Sequence, residues 1–346
     1  MVENSPKTVV YVSNAGSKDI HVLAMDRASG ALDLIETVPV PGTDKPSPAS
    51  LPMATSPDKR FLYAQLRSAP FPVSTFAIER PSGRLTHLAE TPLVDAMAYI
   101  NTDRTGKFLL GASYVGAKLA ICPIDARGIV GATATQVLDT QPKAHCVVVD
   151  AGNKNVYVPV LDGGHVLQLK FDPATGTVTP NNPGEIAAKP GAGPRHLTFH
   201  PSGRWAYLLT ETTATMGTYA VDRDKGTLTE LQFVGTGEYQ ERPAASDIHV
   251  TPDGRFVYGA ERRTSSLIGF RIDPDKGILT PIGRFPTEKT PRGFAIEPRG
   301  KFLLSVGMDS AGMTVHAIDP STGALSPLRQ CPMGTQPNWI EIVDFA

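Results

Sequence analysis

The chain has 346 residues, with 33 Lys and Arg against 34 Asp and Glu, so its formal net charge is −1. That balance argues against bulk binding to nucleic acid or to an anionic membrane. Hydrophobic residues make up 41% of the sequence, which is too many for a disordered protein. The 32 Gly and 31 Pro residues favour a fold rich in turns over one built from long helices.

The chain contains three cysteines, Cys122, Cys146 and Cys331, which are far apart in the sequence. Their spacing fits neither a disulfide framework nor a zinc site. No apolar run reaches the roughly 18 residues of a membrane-spanning helix. The N-terminal residues lack the basic and apolar regions of a secretory signal. We therefore expect a cytoplasmic protein without a membrane segment.

One element recurs along the chain: a short apolar run, a turn with Pro, Asp or Gly, a polar residue that is usually basic, and a second apolar run. Its six copies are, in chain order, MATSPDKRFLYA (53–64), AYINTDRTGKFLLG (98–111), CVVVDAGNKNVYV (146–158), LTFHPSGRWAYL (197–208), IHVTPDGRFVYG (248–259) and FAIEPRGKFLLS (294–305). Each copy predicts two antiparallel strands joined by a hairpin turn.

A second element reads D-x-x-x-G, or close to it, and is followed by alternating residues. Its seven glycines are Gly30, Gly83, Gly128, Gly176, Gly226, Gly277 and Gly323. The first element has only six copies, and a seventh is divided between the two ends of the chain. NWIEIV (338–343) lacks a following strand, and TVVYV (8–12) lacks a preceding one. We predict that these two segments pair and close a ring, which hides the open sheet edges.

The predicted fold is all-β, a seven-bladed β-propeller with four antiparallel strands per blade, and it forms a single domain over residues 1–346. We label the strands of a blade A to D from the centre outwards. Both repeated turns then lie on one face. The starts of strands A and the ends of strands B lie on the other face, where we expect the functional site.

Polar residues interrupt the repeat at those strand ends. The most distinctive of them are His145, Arg195, Glu211, Asp247 and Arg292. We expect their side chains to converge at the mouth of the central channel. His196 adjoins this group, and Arg242 lies in a longer connection between strands D and A that could cover it.

Each candidate also has a structural interpretation. An arginine at the start of a blade can donate hydrogen bonds to the next blade, and Asp247 can fasten blades through backbone N–H groups. His196 and His249 are expected to lie between blades, because they point the other way along their strands. The repeated turns are structural, since they lack the alternating carboxylates of a calcium loop.

Motifs for several other chemistries are missing. The sequence has no HExxH, GxSxG or GxxxxGK[ST] motif and no GxGxxG motif after a strand. Serine nucleophiles and nucleotide cofactors therefore have no support. We predict that the protein uses no cofactor and no metal ion. No obligatory protein partner is indicated.

Three segments of the chain resemble the seven-bladed propeller lactonase family. They are GPRHLTFHP (193–201), SDIHVTPDGRFVY (246–258) with ERRTSSL (261–267) after it, and TPRGF (290–294). Well-known members are propeller-type 6-phosphogluconolactonases and 3-carboxy-cis,cis-muconate lactonizing enzymes. The resemblance runs essentially end to end. The chain departs from it in an extended connection, GTDKPSPAS (42–50), and in SAPFPV (68–73), which both flank the expected site.

The resemblance implies an active site of His145, Arg195, Glu211 and Arg292. It implies metal-independent hydrolysis of a sugar-acid lactone, such as 6-phosphogluconolactone or a related aldono- or aldarolactone. His145 or Glu211 would act as the general base, while Arg195 and Arg292 bind the oxyanion and an anionic substituent of this small substrate. Asp247, His196 and Arg242 would be further substrate contacts.

Two alternatives stay open at this point. A cycloisomerase that closes or opens a carboxymuconate lactone would need the same acid, base and anion-binding groups. A propeller can also be a non-catalytic interaction platform. The charged cluster at the channel mouth argues against the platform.

Overall fold

The computed structural model describes residues 8–46 and 50–345, and it consists of 28 strands in seven four-stranded antiparallel sheets. No helix occurs within this described part of the chain, and so none that could cross a membrane. The seven-bladed, all-β prediction is therefore confirmed. The predicted domain boundary of 1–346 includes residues 1–7, 47–49 and 346, which lie outside the described residues.

The strands follow the chain from blade to blade. Blade 1 contains β1 (Thr8–Asn14), β2 (Asp19–Met25) and β3 (Leu32–Pro39); blade 2 contains β4 (Met53–Thr55), β5 (Phe61–Gln65), β6 (Pro72–Ile78) and β7 (Leu85–Pro92). Blade 3 contains β8 (Met97–Thr102), β9 (Phe108–Ser113), β10 (Lys118–Pro123) and β11 (Gln136–Asp139); blade 4 contains β12 (Val148–Val149), β13 (Asn155–Val160), β14 (His165–Asp172) and β15 (Thr177–Ala187).

The second half continues in the same way. Blade 5 contains β16 (Pro194–Phe199), β17 (Trp205–Thr210), β18 (Thr215–Asp222) and β19 (Thr227–Gly235); blade 6 contains β20 (Ala245–Val250), β21 (Phe256–Glu261), β22 (Ser266–Ile272) and β23 (Leu279–Pro286). Blade 7 contains β24 (Pro291–Ile296), β25 (Phe302–Gly307), β26 (Gly312–Ile318) and β27 (Leu325–Pro332), and β28 (Pro337–Asp344) returns to blade 1 as its innermost strand.

The ring closes as the split repeat predicts. Strand β28 pairs antiparallel with β1, in a register that sets Val12 opposite Ile340 and Thr8 opposite Asp344. All seven residues of β1 are buried. The pairing therefore covers an apolar strand whose edge would otherwise be free to pair with another chain.

The D-x-x-x-G turns hold neighbouring blades together. Gly277 has a φ of +72°, and a Cβ there would come within 2.4 Å of the Trp205 ring of the preceding blade. The hydroxyl of Tyr207 donates a hydrogen bond of 3.0 Å to the Gly277 carbonyl. Equivalent close contacts join the pairs Gly30–Phe302, Gly83–Val9, Gly128–Phe61, Gly176–Phe108, Gly226–Asn155 and Gly323–Phe256. The repeated turn is thus an interface between blades, and only glycine fits both its conformation and its packing.

Burial follows position in the blade. Strands β9, β13, β17, β21 and β25 are fully buried, because neighbouring blades cover both of their faces. Such strands read as continuous apolar runs. The outermost strands alternate between exposed and partly buried residues. The rigid inner strands therefore fix the positions of the side chains that follow their ends.

Candidate active site

Side chains from six blades meet on the face opposite the repeated turns. They line a cavity of about 280 Å³: Arg67, Ala98, Tyr114, Val115, His145, Glu211, Arg262 and Arg292. A second cavity of about 560 Å³ adjoins it and shares Glu211 and Arg262. These residues lie at the ends of strands B or the starts of strands A, as the repeat predicts.

β-Bulges at the starts of strands A aim several of these side chains. The registers of β8 with β9, β16 with β17 and β24 with β25 shift at Ala98, Arg195 and Arg292, respectively. A bulge inserts one extra residue, bends the strand and re-aims its side chain. The three bulged residues occupy equivalent positions in their blades, yet Ala98 and Arg292 line the cavity whereas Arg195 does not.

Glu211 is held between two arginines. Its Oε2 accepts a hydrogen bond of 2.8 Å from Nε of Arg195, and its Oε1 lies 3.2 Å from Nη2 of Arg262. Burial raises the pKa of Glu211, but the two guanidinium groups outweigh it, and the net pKa is below the ordinary value. Glu211 is therefore ionised at neutral pH, and both of its oxygens are occupied.

Arg195 lies beneath the cavity. Its side chain is only 1% exposed, and besides Glu211 it contacts Nε2 of His196, at 3.1 Å, and the carbonyl of Ser246 in the next blade. Burial lowers its pKa to about 10, so it stays cationic at neutral pH. Arg195 thus connects the Glu211 carboxylate to the inner strands of two blades.

His196 has a fixed tautomer. A guanidinium only donates, so Nε2 of His196 accepts from Arg195 and Nδ1 carries the proton. That Nδ1–H donates to Oδ1 of Asp247 over 2.9 Å. Burial and the neighbouring Arg195 lower the pKa of His196 to about 4, which keeps the imidazole neutral.

Asp247 fastens blades 6 and 7. Its Oδ2 accepts from the backbone N–H of Phe294 in blade 7 and from Nε2 of His249, both at 3.1 Å. Burial opposes ionisation, but His249 and His196 hold the pKa of Asp247 far below its ordinary value. The structural interpretation offered by the sequence therefore fits these contacts.

His145 lines the cavity as a neutral imidazole. Its side chain is buried, and its Nδ1 has no hydrogen-bond partner among the described residues. The ring packs edge-on against Tyr114 and His196, with centroids 5.4 and 5.1 Å away. Burial, followed by Arg195, lowers its pKa well below the ordinary value. The unprotonated form is therefore the one present at neutral pH.

Arg67 and Arg292 both line the cavity, and neither forms an ion pair within the described part of the chain. Burial, reinforced by the other arginines, lowers the pKa of Arg292 well below its ordinary value. Around the cavity stand Arg67, Arg195, Arg262 and Arg292, with Glu211 as the carboxylate among them. Four positive charges against one negative charge favour an anionic ligand.

The predicted residues therefore fall into three groups. His145, Glu211 and Arg292 line the cavity. Arg195, His196 and Asp247 form the hydrogen-bonded layer behind it. Arg242 is exposed and does not line either cavity.

The sequence-based selection missed Arg67 and Arg262. Both occupy the same repeat position as Glu211, seven residues after the basic residue of the hairpin. That shared position was the available signal. Among the described residues, no group of three or more His, Cys, Asp or Glu side chains is placed to bind a metal ion.

A family model described as seven-bladed beta-propeller lactonase matches residues 8–342. The chain belongs to this lactonase family. One relative in the family, the 6-phosphogluconolactonase of Serratia proteamaculans, is 34% identical over 339 residues, which cover 97% of this chain and 99% of the relative. The 6-phosphogluconolactonase of Pectobacterium carotovorum is 37% identical over 291 residues, 84% of each chain.

A solved lactonase structure shares the fold end to end. The periplasmic gluconolactonase of Pseudomonas aeruginosa superposes with a TM-score of 0.88 at 26% sequence identity, and the match covers 99% of each chain. The resemblance stated from sequence motifs is thereby confirmed for the whole propeller.

Proposed function

We propose that the protein hydrolyses the lactone of an anionic sugar acid, with 6-phosphogluconolactone as the first candidate. The observation that carries this proposal is one cavity that contains a neutral histidine, His145, beside an arginine without an ion pair, Arg292. Lactone opening requires a base for water and a cation for the oxyanion. The names of the relatives support the same reaction and substrate.

His145 is the better of the two bases that the sequence suggests. Glu211 is ionised, but Arg195 and Arg262 occupy its oxygens and reduce its proton affinity. His145 is also unprotonated and carries no such partner. An anionic substrate would offset the surrounding positive charge and raise the proton affinity of His145. Binding therefore prepares this base for its reaction.

The reaction then proceeds in two steps. His145 takes a proton from water as the oxygen attacks the lactone carbonyl, and Arg292 stabilises the tetrahedral oxyanion. Collapse of the intermediate breaks the ring C–O bond, and protonated His145 returns its proton to the departing alkoxide. Arg195 and Glu211 keep the charged groups in position. The products are the free sugar acid and an unchanged enzyme.

The sequence-based hypothesis gives Arg195 a catalytic and substrate-binding role. In the structure its Nε contacts Glu211 and its Nη1 contacts His196 and the Ser246 carbonyl, below the cavity. We therefore assign Arg195 to positioning Glu211. Arg242 receives no role, because it is exposed and does not line either cavity. The cytoplasmic location stays a prediction, since one solved relative is described as periplasmic.

A panel of lactones tests the function. Purified protein is assayed on 6-phosphogluconolactone, gluconolactone, an aldarolactone and carboxymuconolactone, by acid release and by ultraviolet absorbance. Acid release from a sugar lactone above the spontaneous rate supports the proposal. Turnover of carboxymuconolactone alone would support the cycloisomerase instead, and no turnover at all would favour an interaction platform.

A further inference from the structure

We propose that Arg67 is a specificity-determining residue that binds the anionic substituent of the lactone, a phosphate or a carboxylate, away from the reacting carbonyl. This inference rests on the proposed function but adds a residue to it. Arg67 lies two residues beyond strand β5 in blade 2 and lines the same cavity as His145 and Glu211.

Arg67 is a buried cation with unused donors. It is 9% exposed, and its Nε is buried without a hydrogen-bond partner among the described residues. Its one side-chain hydrogen bond there runs from Nη1 to the hydroxyl of Ser50, at 2.8 Å. Burial lowers its pKa, but a guanidinium stays charged at neutral pH. Asp95 is close enough to influence the pKa of Arg67 but forms no ion pair with it, so an anionic ligand would offset the remaining cost of this buried charge.

The other arginines at the cavity contrast with Arg67. Arg195 and Arg262 both contact the Glu211 carboxylate. Arg292 has no ion pair, but it is the unpaired cation that influences the pKa of His145. Arg67 influences the pKa of Arg292 but is not among the main influences on the pKa of His145. Blade 3, whose Tyr114 packs against His145, lies between Arg67 and His145. Arg292 is thus assigned to the reaction centre, and Arg67 to another part of the substrate.

The order of blades in the ring separates the two ends of the cavity. Arg67 belongs to blade 2, Tyr114 to blade 3, His145 to blade 4, Glu211 to blade 5 and Arg262 to blade 6. In a ring of seven, blade 2 lies opposite blades 5 and 6. A substrate whose carbonyl lies beside His145 therefore reaches Arg67 by extending across blade 3, on the side of the cavity away from Glu211 and Arg262.

Local features of this chain hold Arg67 in place. Ser50, its hydrogen-bond partner, ends the extended connection 42–50, and the next residue, Leu51, donates its N–H to Oδ1 of Asn338 at 2.9 Å. On the other side, the hydroxyl of Ser68 bonds the carbonyl of Pro46. These segments are where the sequence departs from the family pattern. The two segments that depart from the family pattern therefore hold the proposed specificity residue in position.

The test compares charged and neutral substrates in Arg67→Ala and Arg67→Lys. A guanidinium can contact a phosphate through two parallel hydrogen bonds, which an ammonium cannot reproduce. We expect Arg67→Ala to reduce kcat/KM on 6-phosphogluconolactone by about 10- to 150-fold, mainly through KM, as for loss of a hydrogen bond to a charged group. On gluconolactone, which is neutral, kcat/KM of the same variant should change by less than about threefold. Arg67→Lys should be intermediate.

Further arms identify the anion and control for folding. In Arg67→Ala, kcat/KM on an aldarolactone, which carries a carboxylate, should fall as much as kcat/KM on the phosphorylated lactone only if Arg67 accepts either anion. Inorganic phosphate should inhibit gluconolactone hydrolysis by the wild type and inhibit Arg67→Lys more weakly. Arg60→Ala is the matched control, because Arg60 is exposed on the opposite face.

The outcomes separate this inference from the proposed function. One outcome is a wild type that hydrolyses sugar lactones while Arg67→Ala lowers kcat/KM equally on charged and neutral ones. In that case Arg67 is not a specificity residue. A wild type that prefers the neutral lactone would overturn the inference as well. If the wild type hydrolyses no sugar lactone, the proposed function itself fails.

Discussion

Nε of Arg195 donates a hydrogen bond of 2.8 Å to Oε2 of Glu211, and this ion pair forms the floor of the cavity. The arginine is 1% exposed, whereas the carboxylate is 20% exposed and reaches the cavity. One partner is thus a fixed anchor and the other a group accessible to substrate. The pair determines where the negative charge stands among the surrounding arginines.

Arg195→Lys should weaken that anchor. A single ammonium cannot reproduce the planar set of contacts to Glu211, His196 and the Ser246 carbonyl. We expect kcat for lactone hydrolysis to fall by about 10- to 100-fold, as for loss of one or two charged hydrogen bonds. Steady-state kinetics measures the fall in kcat, and a thermal melt shows whether the variant is still folded. The control is Arg127→Lys, since Arg127 is 82% exposed and lies on the opposite face. Unchanged kcat in Arg195→Lys would contradict the positioning role.

The sequence predicts the scaffold well because the scaffold is repetitive. Seven turn glycines and six hairpins reveal the blades, and NWIEIV and TVVYV reveal the closure. Residues that serve no repeat-wide purpose then stand out, and this is why His145, Glu211 and Arg292 could be selected.

The direction of individual side chains could not be predicted in the same way. Arg195 and Arg292 occupy the same repeat position, yet one lies under the cavity and the other lines it. Both stand at β-bulges, which strict alternation does not represent. Arg67 was missed because its side-chain hydrogen bond is to Ser50, in a connection that the repeat does not represent. Such contacts arise only when distant segments fold together.

Glu341 makes the stability of the folded protein depend on pH. Burial raises its pKa to about 7, although Trp339 donates a hydrogen bond of 2.9 Å to it. It lies on β28, the innermost strand of blade 1, and is partly accessible to solvent, but the surrounding protein weakens the solvation of its charge. The unfolded chain releases this proton near pH 4.5, whereas the folded chain retains it until about pH 7. The free energy of unfolding contributed by Glu341 therefore decreases as pH rises between these values.

Glu341→Gln removes this dependence. The difference in melting temperature, variant minus wild type, should increase from pH 4.5 to about pH 7 and then level off. Melts across this range measure it. Glu185→Gln is the control, because Glu185 is 60% exposed on a strand that lies outermost in its blade. A constant difference across the range would show that Glu341 has no raised pKa.

Removal of residues 338–346 should open the ring. The deletion takes away most of β28, and it exposes the edge of β1, whose residues are all buried. We expect insoluble or aggregated protein. In a milder variant, Ile340→Ala should reduce the free energy of unfolding by about 2–4 kcal/mol, since Ile340 is buried opposite Val12. Leu328→Ala, at a side chain that is 46% exposed, should change little. A soluble truncation with an unchanged melting temperature would contradict closure by these strands.

Activity should persist without metal ions. The cavity is rich in arginine, which repels cations, and its candidate base needs no metal to be unprotonated at neutral pH. Dialysis against EDTA followed by assay on the best lactone should leave kcat within about twofold of the untreated enzyme, since proton transfer by a side chain supplies the catalysis. Loss of activity that a divalent ion restores would reject the mechanism.

The turnover number of His145→Asn on the best lactone tests the central claim most directly. Asparagine keeps the approximate shape of the side chain but cannot accept the proton from water. We expect kcat to fall by about two to four orders of magnitude, the usual contribution of a general base. Under the same conditions His87→Asn, on the outermost strand of blade 2, should retain wild-type kcat. A His145→Asn variant that is folded and turns over at the wild-type rate would show that His145 is not the base.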